Sequence, residues 1–192
     1  VSSVGEAAVS AVSLVDSINV LLINVFAALG TGGAVVAAQF IGQGSLEKAR
    51  FSAKQLLLIT AILSLIIMGV ILLFNTSILH LAFGNVDSGV MNNAETFFLV
   101  SALSYPFIAL YNSGAALFRA IGNSKISMIT SAIMNVINII FNTIFIFGLK
   151  LGVLGSGLAT LIARMVCCIV ILKCLTNKDN NPTFKLENIG LF

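Results

Sequence analysis

Uncharged apolar runs at 17–46, 55–86, 96–118, 126–149 and 151–163 divide the sequence, and short segments between them hold most of its charges. The first four are long enough to cross a hydrocarbon core, which takes about 20 helical residues. The fifth reaches span length only by carrying Arg164 near its middle. That placement is costly unless the side chain faces protein or water, or snorkels to an interface. The runs are continuously apolar, as in LLLITAILSLIIMGVILLF, and do not alternate, so helices are expected and a transmembrane barrel is not. The pattern predicts an all-α, polytopic membrane bundle of five spans, near 10–41, 53–83, 93–117, 124–148 and 152–174. These make one transmembrane domain over 1–175, and the polar stretch 176–192, which includes Pro182, reads as a cytoplasmic linker.

Composition agrees with this picture. Of 192 residues 58% are hydrophobic and 9% charged, against roughly 25% charged in a soluble domain. The net charge of +3 is too small to point to nucleic acid, and its distribution says more than its sum. Lys48, Arg50 and Lys54, then Arg119 and Lys125, then Lys173, Lys178 and Lys185 all fall on one side of the five-span map. The other side has Lys150 alone, together with Glu6, Asp87 and Glu95. The positive-inside rule then places Val1 outside and Phe192 in the cytoplasm. The polar start at Val1 and the odd number of spans predict a piece of something longer. Cys167, Cys168 and Cys174 lie in one apolar stretch without a CxxC pair or a nearby His, so they form no zinc set.

With charges this scarce, polar side chains inside the spans are the informative residues. Asn135, Asn138 and Asn142 are spaced by three and four and share one helical face. Two readings stand: the wall of a polar cavity that binds a cation or a polar substrate group, or hydrogen-bonding glue between helices. Asp16 is the only carboxylate embedded in an apolar run. It is either a proton or cation site or, given its position near the outer end, an interface residue that reaches water. Ser13, Ser17, Asn24 and Thr31 extend its polar stripe. Gly30, Gly32 and Gly33 with neighbouring alanines predict close approach of another backbone or, alternatively, a bend used in a conformational change. Ser104-Tyr105-Pro106 places a proline mid-span and points to a kink or a cavity. No HExxH, GxSxG or Walker A pattern occurs, and no paired carboxylates share a face, so catalytic residues are not expected.

SSVGEAAVSAVSLVDSINVL and ALGTGGAVVAAQFIGQGSLEKAR, then LFRAIGNSKISM, then NVINIIFNTIFIFGLKLGVLGSGLAT follow one another along the chain. In this order they resemble helices two to six of the multidrug and toxic compound extrusion (MATE) transporters. The resemblance implies the N-terminal six-helix lobe of a twelve-helix transporter, with the first helix and the second lobe outside this chain. It implies export of amphiphilic or cationic small molecules across a bacterial plasma membrane, in exchange for Na+ or H+, with no cofactor beyond the coupling ion. Expected partners are membrane lipid, the small-molecule substrate and the remaining helices of the same parent, and not nucleic acid. Asn138 matches a cation-site asparagine of the family. Where some members place Asp followed by Pro, this chain has Asn142 and Thr143, which removes a titratable group. The binding set expected from residues and resemblance together is Asn135, Asn138 and Asn142, with Tyr111 or Asn112, and Asp16 as the one carboxylate. A lipid-linked sugar flippase of the same superfamily and a non-transporting scaffold bundle are the alternatives.

Overall fold

The computed structural model describes residues 6–84 and 86–176; the predicted linker from 177 onward and Val1 lie outside them. Among the described residues all regular structure is helical. In chain order these are α1 (Glu6–Gly42), α2 (Leu46–Phe83), α3 (Ser88–Leu103), α4 (Tyr105–Ala120), α5 (Ser124–Asn142) and α6 (Gly152–Thr176). α5 runs directly into a π-helical turn, Thr143–Gly148. Four helices are long and apolar enough to cross a membrane singly, and α3 with α4 makes a fifth span bent by 46°. The predicted kink is therefore a full break at Ser104, because Pro106 has no N–H for the carbonyl of Ala102.

The turns after α1 and α4 share one device. At the end of α1 the Ser45 amide donates to Phe40 O and the Gly44 amide to Ile41 O; after α4, Asn123 donates to Phe118 O and Gly122 to Arg119 O. Gly44 (φ 74°) and Gly122 (φ 80°) occupy the left-handed position of these caps, which costs a side-chain-bearing residue about 1–2 kcal/mol. Sharp caps let consecutive helices return antiparallel: α1 packs on α2, α3 and α4, while α6 packs on α3, α4 and α5.

The packing is inside-out relative to a soluble bundle. Ala11, Ala34, Ala37, Ala49, Ala53 and Gly30 are buried, whereas Leu58, Ile59, Ile62, Leu65 and Ile66 are exposed along α2. Water would make such a surface prohibitive; lipid makes it neutral, and close backbone approach through small residues then supplies the cohesion. Among the described glycines the sharpest approach to another helix's backbone is at Gly30, where a Cβ would lie 3.1 Å from Cα of Ser113 on α4. Gly33 faces the tip of Leu56 on α2, and Gly32 has no neighbour within 4 Å. The glycine cluster is thus a helix contact at two of its three positions.

Candidate cation and substrate site

α5 is the least covered helix. Among its described residues only Ser127 and Thr130 are buried, because its packing is chiefly against α4 and α6. Its polar stripe therefore borders open space on one side and α6 on the other. Cys167 Sγ lies 3.4 Å from Thr130 O, and Asn138 Nδ2 donates to Thr160 Oγ1 at 3.1 Å. This antiparallel register sets Ala163 level with Asn135, so Asn135 finds no polar partner there and stays exposed.

Asn138 and Asn142 do come together. The Thr160 hydroxyl donates to Ser156 O at 3.1 Å, Asn138 Nδ2 donates to Thr160 Oγ1, and Asn142 Nδ2 donates to Asn138 Oδ1 at 2.8 Å. The donors run head to tail, from Asn142 to Asn138 on α5 and then to Thr160 and Ser156 on α6. At the open end, Asn142 Oδ1 is buried and accepts no hydrogen bond. An unsatisfied buried acceptor costs about 1–3 kcal/mol, and a cation or a donor group placed there would recover it. The spare lone pairs of Asn138 Oδ1 and Thr160 Oγ1 add to the same acceptor surplus. The π-helical turn begins at the next residue, Thr143, and such turns recur at functional positions.

Tyr111 and Asn112 stand apart from this pair. Tyr111 is buried in α4 and its hydroxyl faces Ser127 O at 3.5 Å. Ser127 is eleven residues before Asn138, about 16 Å along α5. Asn112 Nδ2 is buried and unbonded, beside the backbone contact that Ser113 makes with Gly30.

Asp16 belongs to a different cluster. It is exposed on α1 and accepts from Asn19 Nδ2 at 3.2 Å. Asn19 is buried, lies 3.4 Å from Ser101 Oγ, and receives the Tyr105 hydroxyl at 2.6 Å. Arg164 is 9% exposed and donates to Ser104 Oγ at 2.6 Å. The costly mid-span charge thus faces protein, at the break between α3 and α4.

Sequence reasoning missed Thr160 and Asn19. Thr160 had a weak signal, a Ser156/Thr160 pair spaced by four in a glycine-rich helix start. Asn19 had one too, three residues after Asp16. Both became informative only through contacts with distant helices.

A family profile described as MatE matches residues 1–144. The "Multidrug export protein MepA" of Staphylococcus haemolyticus is 27% identical over 94% of this chain and 39% of its own length. The "Uncharacterized transporter YisQ" of Bacillus subtilis is 29% identical over 98% of this chain and 42% of its own. The chain spans about two-fifths of the length of these relatives. Among solved structures, an outward-facing conformation of a multidrug resistance MATE family transporter superposes with a TM-score of 0.89 at 26% identity, covering all of this chain and 42% of that one. An inward-facing conformation gives 0.87 at 26% identity, over 95% of this chain and 41% of that one. With membrane-length apolar helices and a family match over three-quarters of its residues, this chain belongs to the MatE family of integral membrane proteins.

Proposed function

We propose that the intact protein is a secondary active exporter of amphiphilic or cationic compounds, and that the Asn138–Asn142–Thr160 cluster of this lobe binds the coupling ion. The observation that carries the proposal is the one-directional row of hydrogen bonds ending in the free, buried Asn142 Oδ1. Its oxygens are neutral and hard, which suits Na+. Carboxamides do not titrate near neutral pH, so this cluster holds no proton to exchange. Na+ is therefore the favoured ion, and further ligands would come from other parts of the protein. The near-equal fit to outward- and inward-facing relatives supports a lobe that moves largely as one body.

The test is efflux of a fluorescent cationic dye from proteoliposomes holding the intact protein. An inward Na+ gradient at equal pH on both sides should drive dye movement. Efflux driven only by a pH gradient, with no response to Na+, would sink the assignment.

The proposed setting is a bacterial plasma membrane, with the N-terminal end of α1 outside. It follows from the basic residues Lys48, Arg50, Lys54, Arg119 and Lys125 at the turns after α1 and α4. In a background with the native cysteines replaced, Gln43→Cys should react with a membrane-impermeant maleimide only after the cells are opened. Ser88→Cys should react in intact cells. The reverse pattern would invert the topology.

A further inference from the structure

The α3–α4 span is broken at its centre, and both flanks of the break are tied down by polar side chains. From α6, Arg164 Nη1 donates to Ser104 Oγ at 2.6 Å, while the Ser104 hydroxyl donates to Ser101 O at 2.6 Å. From α1, Asn19 lies 3.4 Å from Ser101 Oγ and accepts from Tyr105 OH at 2.6 Å, and it also donates to Asp16. Tyr105 is fully buried, with its ring 6.2 Å from that of Phe26. A guanidinium in the middle of a span is expensive to keep, and here it meets a hydroxyl in the turn where α3 ends. The last carbonyls of α3 carry the negative end of its dipole, and Pro106 cannot supply the N–H that a continuous helix would offer to Ala102 O.

We propose that Arg164 is a positioning residue that clamps the α3–α4 break at its bend, using Ser104 as its handle, and that Asp16, relayed through Asn19, is the opposing charge on the α1 side. The clamp joins α1, α3, α4 and α6 at one level, so the lobe keeps one internal shape while it moves. A proline break sets where a span bends but leaves the bend angle to its packing partners. The bend itself does not depend on the transport reading, although its use in export does.

The experiment places spin labels at Asn92→Cys and Ala120→Cys in the intact protein, with native cysteines replaced, in nanodiscs. Straightening the 46° bend lengthens that separation by up to roughly 3 Å, given a rise of about 1.5 Å per residue. The distance distribution by pulsed electron resonance should be narrow in the parent. It should broaden toward longer values in Arg164→Met and in Ser104→Ala, and return most of the way in Arg164→Lys. Should Arg164→Met fail to fold, Ser104→Ala, which removes one oxygen, decides the question. An unchanged distribution in Ser104→Ala and in every folded Arg164 variant overturns the clamp. Dye efflux measured in parallel separates the two proposals: unchanged distances with lost efflux refute the clamp alone, and Na+-independent efflux in the parent refutes only the ion assignment.

Discussion

Asn138→Leu in the intact protein is expected to abolish Na+-driven export, lowering initial efflux at least tenfold, the equivalent of about 1.4 kcal/mol of lost ion binding. The side chain stands in the middle of the row: its Nδ2 holds Thr160 and its Oδ1 holds Asn142 Nδ2. Leucine removes both contacts and leaves the Asn142 amide with neither of its ends partnered, at a further cost of about 1–3 kcal/mol if it stays buried. The amount of folded protein should change little, because Asn138 is only half-buried and α5 borders open space. Asn135→Leu, on the same helix but exposed, should retain most of the Na+-driven efflux. Measuring Na+ dependence at fixed dye concentration distinguishes an ion defect from a substrate defect: the Asn138 variant should need far more Na+ before it loses dye affinity. Wild-type Na+ dependence in Asn138→Leu would remove this residue from the ion site.

Gly30→Leu should be the most destabilising single change in the glycine cluster. A Cβ there would already lie 3.1 Å from Ser113 Cα, 3.2 Å from Ser113 N and 3.3 Å from Asn112 C. These are backbone atoms of α4, so no rotamer change makes room and the two helices must separate. Overpacking of this kind costs about 1–3 kcal/mol, and loss of small-residue packing between helices adds to it. By soluble-protein scaling the midpoint should fall by roughly 5–10 °C, read from thermal unfolding in detergent. Gly32→Leu makes the same chemical change two residues on, where nothing lies within 4 Å, and should leave the midpoint almost unmoved. Equal loss in the two variants would show that side-chain chemistry, and not the α1–α4 approach, sets the cost.

Gly30, Asn138 and Arg164 differ in how much of their role a linear reading discloses. The small-residue surface around Gly30 was recognisable because composition alone says that a backbone comes near; which backbone it was depended on the fold. The Asn138–Asn142 spacing was legible because four residues bring side chains together on any α-helix. Asn135 satisfied the same periodicity and is nevertheless exposed, since periodicity describes one helix and the register against α6 brings Asn138, not Asn135, to Thr160. Arg164 was visible as an anomaly within an apolar run. Its solution, Ser104 at the broken span, is sixty residues away.

By itself the sequence determined which stretches are long and apolar enough to cross a membrane, the helical character of each, the positions of the turns after α1 and α4 and the kind of chemistry available. These follow from short-range terms: hydropathy over about 20 residues, helix periodicity, and the left-handed φ that glycine adopts at Gly44 and Gly122. The tertiary structure alone decided which polar side chains meet. Thr160 joined Asn138, Asn19 joined Asp16 to Tyr105, and Tyr111 turned to Ser127 instead of the asparagine row. The physical reason is register between helices. A shift of one turn, about 5.4 Å, leaves every local pattern intact and changes every partner, and that register is set by the summed packing of small residues and buried rings across the lobe.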